Sequence, residues 1–250
     1  MKTLLNLTYC KKYKLTLDVY LPDTINFKTI VYFHGGGLEV GDKSGENTVE
    51  IAKAFVKNGY GFVCCNYRKY PKAKFPDFIL DGAKVVAFVK QRLSEWGSCG
   101  IIVSGQSAGA YISLMLCLNK KYLLNKKVKP QEICGWIIDS AQTTSHYNVL
   151  KYELGEDILA QRINEFAPLF FVDKNTNFSK MLLIFYENDM PCRYEQNMLF
   201  YKSVLSYNKN ADIEYKVLKG EHCAGSSIKD ENGNYPFVLE SLSWLKKSGL

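Results

Sequence analysis

Ile101-Ile102-Val103-Ser104-Gly105-Gln106-Ser107-Ala108-Gly109-Ala110-Tyr111 is the stretch on which the fold turns. Ile101 to Val103 read as a buried strand, Gly105 to Gly109 as an abrupt turn and Ala108 onward as the start of a helix, with Ser107 at the apex. Glycines two residues to either side of Ser107 leave the backbone unhindered where a strand must reverse sharply into a helix. This is the G-x-S-x-G pattern of a nucleophile elbow, and Ser107 is the candidate nucleophile. Small residues are common in turns, so the pattern alone is weak, and its weight comes from the rest of the chain.

Working outward, Lys28 to Phe33 is a continuous β-branched and aromatic run, as a strand covered on both faces requires, and it feeds directly into His34-Gly35-Gly36-Gly37. Upstream, Thr3 to Tyr9 and Leu15 to Leu21 suggest a hairpin that ends at Pro22. Downstream, helices over Asn47 to Lys57 and Phe78 to Leu93 bracket a strand at Gly61 to Cys65. Further strands are expected at Ile133 to Ile138, Met181 to Tyr186 and Ile213 to Leu218, with helices at Arg193 to Ser206 and Tyr235 to Lys247. Strand and helix alternate, which predicts an α/β fold: a mainly parallel sheet of about eight strands with helices on both faces. The exception is residues 141–180, a long interval with a helix expected over Ile158 to Phe166. Its aromatic residues suit either a lid beside the site or a satellite core.

The 250 residues suit one domain spanning 1–250, with 141–180 as an insertion within it. An apolar share of 47% and an aromatic share of 14% place the chain among packed proteins. The net charge of +7 comes from lysines scattered along the chain, which reads as a solvated surface and gives no expectation of a nucleic-acid partner. Met1 to Leu7 is too short for a signal h-region, no run reaches membrane-span length, and the eight cysteines show no C-x-x-C pair. Reduced thiols, a cytoplasmic home and no membrane partner are the expectations.

In parallel α/β sheets, sites lie beyond the carboxyl ends of the strands. His34-Gly35-Gly36-Gly37, Ser107, Asp189 and His222 all follow expected strand ends, so the topology gathers them on one edge. A serine hydroxyl needs a base, and imidazole has the right intrinsic pKa. Of the three histidines, His34 precedes the glycine run and His146 lies in the insertion, which leaves His222 as the expected base. Asp189 is the expected carboxylate for its far nitrogen, with Glu187 and Asp139 as weaker alternatives. The amides of Gly36, Gly37 and Ala108 are the expected oxyanion donors. Gly36 to Ser44 fails as a phosphate cradle, because Asp42 stands between the second glycine and Lys43. No metal or organic cofactor is required by this chemistry.

With these residues in place, the chain resembles the α/β-hydrolase superfamily, within it the carboxylesterases related to hormone-sensitive lipase and the similar small esterases and arylformamidases. The resemblance extends to Leu17-Asp18-Val19-Tyr20-Leu21-Pro22, Gly41-Asp42-Lys43, Asn66-Tyr67-Arg68, Phe75-Pro76 and Asp81, and to the chain order serine, acid, histidine. It implies a serine hydrolase acting on a small-molecule ester, with Arg68 and Asp81 as scaffold near the site. Leu38, where relatives often carry an aromatic, and Lys69-Tyr70-Pro71 depart from the usual pattern. No cap is expected before the first strand, and with that an open, shallow acyl pocket. Arylformamide or other amide hydrolysis, carbohydrate deacetylation or feruloyl ester cleavage, and a non-catalytic module of the same fold are the alternatives.

Overall fold

Each long apolar run becomes a strand whose alternate residues enter two different cores. In β3 (Phe27–Phe33), Val31 and Phe33 face one core while Ile30 and Tyr32 face the other. The same division runs through β7 (Lys180–Asn188), where Met181, Leu183 and Phe185 oppose Leu182, Ile184 and Tyr186. A period of two with apolar residues on both sides is stable only when helices cover both faces of the sheet.

A computed structural model describes residues 1–250. Besides β3 and β7, its strands are β1 (Lys2–Cys10), β2 (Leu15–Leu21), β4 (Gly61–Cys65), β5 (Ser98–Gln106), β6 (Ile133–Asp139) and β8 (Ile213–Glu221). They form one sheet of order β1-β2-β4-β3-β5-β6-β7-β8. The opening hairpin and the β2/β4 pair are antiparallel, and every pairing from β4 to β8 is parallel. This is the α/β-hydrolase fold. No helix is long and apolar enough to cross a membrane.

The helices follow their sequence patterns. Glu46–Lys57 buries Thr48, Ile51, Ala52, Phe55 and Val56, a single stripe at helical spacing. Ala108–Leu118 is buried at every position, because it lies between the sheet and the elements stacked above it. The expected Phe78 to Leu93 helix spans Asp77–Lys90, and a separate short turn, Leu93–Trp96, follows it.

The insertion departs from expectation. No helix forms over residues 158–166, and the helical segments of this interval are instead Tyr147–Val149, Leu150–Leu154 and Pro168–Phe171. Local side chains compete for the backbone there: Asp157 accepts from the Leu159 amide at 2.7 Å, and Asn164 accepts from the Phe166 amide at 3.1 Å. Ile158, Leu159 and Ile163 are exposed, so no core rewards a helical stripe.

Register fixes the functional edge. Phe33 lies beside Gly105, Gln106 beside Asp139, Asp139 beside Ile184, and Asn188 beside Glu221. The residues that follow these strands, His34, Ser107, Ser140, Asp189 and His222, therefore emerge along one rim of the sheet.

Candidate active site

Ser107 sits at φ 52° and ψ −113°, a backbone conformation that side-chain-bearing residues rarely adopt. The flanking glycines explain how the turn closes. A methyl group on Gly105 would come within 2.3 Å of the Gly109 carbonyl, and one on Gly109 within 1.9 Å of the Phe33 carbonyl oxygen. The Ser107 amide donates to the Asp139 carbonyl at 2.7 Å, which ties the elbow to the end of β6.

His222 Nε2 lies 2.8 Å from Ser107 Oγ, and His222 Nδ1 is in close contact with Asp189 Oδ1. The Asp189 side chain is fully buried and also accepts from the Met190 amide at 2.7 Å and from the Ser140 hydroxyl at 3.0 Å. Hydroxyl, imidazole and carboxylate thus stand in one hydrogen-bonded line, the arrangement that proton transfer from serine to histidine requires. Of the alternatives, Glu187 is exposed. Asp139 turns away from His222 and accepts from Tyr186 Oη at 3.0 Å and Ser226 Oγ at 2.6 Å. Burial pushes the Asp139 carboxyl up to about 7, opposed by those two hydroxyls.

The other histidines serve the scaffold. His34 is buried and stacked on Tyr67 at 4.5 Å, with Nδ1 2.6 Å from the Gly35 carbonyl, and burial lowers its pKa to about 4. A neutral His34 therefore donates from Nδ1 and orders the glycine loop. His146 is buried in the insertion, and its Nδ1 accepts from the Asn148 amide at 3.2 Å.

The glycine loop is held by its carbonyls. The Gly36 carbonyl accepts from the Glu39 and Val40 amides at 3.0 and 2.9 Å, Gly37 from Asn148 Nδ2 at 2.6 Å, and Leu38 from the Tyr70 amide at 2.8 Å. The Gly36 and Gly37 amides donate to no backbone carbonyl, and Ala108 opens a helix, where amides have no intrahelical acceptor. Fixed, unpaired N–H groups at the end of β3 and at the elbow are suited to an anionic oxygen.

The outgoing end of the loop explains the remaining motif residues. Lys43 Nζ is buried against Asp18 Oδ2 at 2.7 Å and Asn6 Oδ1 at 2.9 Å, which pins Gly41-Asp42-Lys43 to β2. Asn66 accepts from the Lys43 amide at 2.8 Å and donates to Asp42 at 2.6 Å. Arg68 grips Asp81 with two nitrogens at 2.6 and 2.9 Å, the scaffold role expected of that pair.

Three contributors escape a reading of the sequence. Ser140 donates to Asp189 and accepts from the Cys223 amide at 3.3 Å, so one hydroxyl joins the acid to the chain that follows His222. Arg193, only 3% exposed, donates to the Ser140 carbonyl at 2.8 Å. Burial pulls the Arg193 pKa down while the Asp189 charge pulls it up. Tyr147 stands against Gly37. Arg193 carries the clearest signal, a cation in the first turn of the helix that follows Asp189.

The BD-FAE family model matches residues 17–204, a span that holds the glycine loop, the elbow and Asp189. The chain belongs to the BD-FAE family. His222 falls beyond the BD-FAE match, and the sheet register carries it back to the same rim. Over 118 residues the chain is 27% identical to a probable isoprenylcysteine alpha-carbonyl methylesterase of Oryza sativa subsp. japonica, covering 46% of this chain and 28% of the relative. It is 33% identical over 86 residues to the probable carboxylic ester hydrolase LipM of Mycobacterium tuberculosis, covering 34% and 20% respectively. The chain thus spans under a third of the length of either relative. Among solved structures, an esterase of Thermogutta terrifontis in its propionate-bound form superposes with a TM-score of 0.78 at 18% identity, over 99% of this chain and 94% of that one. Esterase B from Lactobacillus rhamnosus also gives 0.78, at 16% identity, over 99% and 85%.

Proposed function

We propose that the chain is a serine hydrolase of carboxylic esters, with Ser107 as nucleophile, His222 as general base and Asp189 as the carboxylate that orients it. One juxtaposition carries this reading: Ser107 Oγ at 2.8 Å from His222 Nε2, whose other nitrogen contacts a buried Asp189. The names of the relatives and of the structural neighbours support the same class. Asp189 fixes the tautomer that leaves Nε2 free to accept the serine proton, and it stabilises the imidazolium that forms.

Ser107 Oγ attacks the ester carbonyl as His222 takes its proton, and the carbonyl oxygen becomes anionic against the amides of Gly36, Gly37 and Ala108. The tetrahedral intermediate collapses, the alkoxide leaves with the proton from His222, and an acyl-serine remains. Water activated by His222 then releases the acid. Tyr147 and Asn148 crowd the glycine loop, which supports a short acyl or aryl ester as substrate. A binding module would have no use for a serine held at positive φ in line with histidine and aspartate. The test is turnover of p-nitrophenyl esters of increasing acyl length by the wild type and by Ser107→Ala. Activity that is highest on short chains and abolished by the substitution, with the melting temperature retained, is the expected result, and a turning-over Ser107→Ala would refute the assignment.

A further inference from the structure

The front of the insertion, from Ala141 to Leu150, is packed onto the glycine loop and places one phenol there. The Tyr147 amide donates to Gln142 Oε1 at 3.2 Å, its ring stacks on the buried His146 at 4.4 Å, and Asn148 Nδ2 clamps the Gly37 carbonyl at 2.6 Å. The Tyr147 hydroxyl is consequently so near Gly37 that a methyl group on that glycine would come within 2.5 Å of it. Gly37 itself has φ 62°, so both backbone and neighbour exclude a side chain at this position.

The phenol is unusual among its neighbours in having no partner. Tyr67 donates to the His34 carbonyl, Tyr70 to Glu153, Tyr111 to the Phe166 carbonyl, Tyr152 to Glu39 and Tyr186 to Asp139. Tyr147 Oη makes no hydrogen bond within the protein, and the half-buried side chain leaves this hydroxyl open to solvent and to a molecule bound beside the loop. Burial raises its pKa, partly opposed by the nearby Arg193, so the group keeps its proton at neutral pH and acts as a donor.

We propose that Tyr147 is a further catalytic residue, whose hydroxyl donates to the carbonyl oxygen of the bound ester beside the Gly36 and Gly37 amides. This rests on the serine esterase reading above. The contact is a hydrogen bond that shortens as charge develops on the oxygen, and no proton is transferred. The front of the insertion is then a fixed part of the site that delivers this donor.

Tyr147→Phe removes one unpartnered oxygen and leaves the ring stack in place. The experiment compares wild type and this variant on p-nitrophenyl acetate, and measures inhibition of both by a trifluoromethyl ketone that forms a hemiketal oxyanion. The expected result is a fall in kcat of about 10- to 100-fold with KM nearly constant, and a matching rise in the inhibition constant of the ketone. Unchanged kcat in an active background overturns the inference alone. So does a fall in kcat with no change in ketone affinity, because a packing defect would give that pattern. A wild type that neither turns over esters nor reacts at Ser107 with a fluorophosphonate overturns the inference together with the esterase reading.

Discussion

Replacing Asp139 by asparagine should stabilise the protein in alkali and not in acid. Asp139 is wholly buried, and its two oxygens accept from Tyr186 and Ser226, which hold the turn after His222 through Gly225 and Gln106. Burial holds its carboxyl at about 7, against an ordinary value of 3.8. Between these two values the native state keeps a proton that the unfolded chain has released, so stability falls as pH rises through the window. The penalty on the native state amounts to ~1.5 kcal/mol near pH 5 and ~4 kcal/mol once pH exceeds both values. Asparagine carries no charge, and it forfeits one acceptor worth ~1 kcal/mol at every pH. Relative to wild type, Asp139→Asn should therefore be near neutral at about pH 5 and more stable by ~3 kcal/mol at about pH 8.5. For a chain of this length that is roughly 6–12 °C in Tm. Thermal melts followed by circular dichroism at the two pH values measure it directly. The Asp189 charge also raises this carboxyl, but it is common to both proteins and drops out of the difference. A Tm difference that is the same in acid and alkali would refute the reasoning.

Ser140→Ala removes the hydroxyl that joins Asp189 to the Cys223 amide, and a hydrogen bond to a charged group is worth ~1.5–3 kcal/mol. A fall of about 10- to 100-fold in kcat/KM on p-nitrophenyl acetate is expected, and an unchanged value would show that Asp189 needs no such anchor. Lys43→Met strands the buried Asp18 carboxylate at a cost of ~3–5 kcal/mol, or roughly 6–20 °C in Tm. Adding Asp18→Asn should recover most of that loss. A single variant that melts with the wild type would mean that the pair contributes nothing to stability.

The strands were legible because burial on both faces writes a continuous apolar run, as at Lys28 to Phe33, and the elbow because only glycine fits at 105 and 109. The rim followed from topology: once the sheet was parallel, residues just beyond strand ends had to converge. Segments that depend on contacts remote in sequence were not legible. The helix expected at 158–166 does not form, because local polar side chains take up the backbone there. Ser140 and Arg193 gained their parts only when β6 and β7 came side by side, which no pattern within either strand records. Tyr147 belongs to the same class, because its meaning comes from a glycine more than a hundred positions upstream.

The most direct test of the esterase reading is to find the covalent intermediate. The full chain, treated with a fluorophosphonate and digested, should yield one modified peptide, with the added mass on Ser107. The adduct should be absent from Ser107→Ala and form far more slowly in His222→Ala. No adduct on the native protein, or an adduct on another residue with Ser107 left free, would contradict the account.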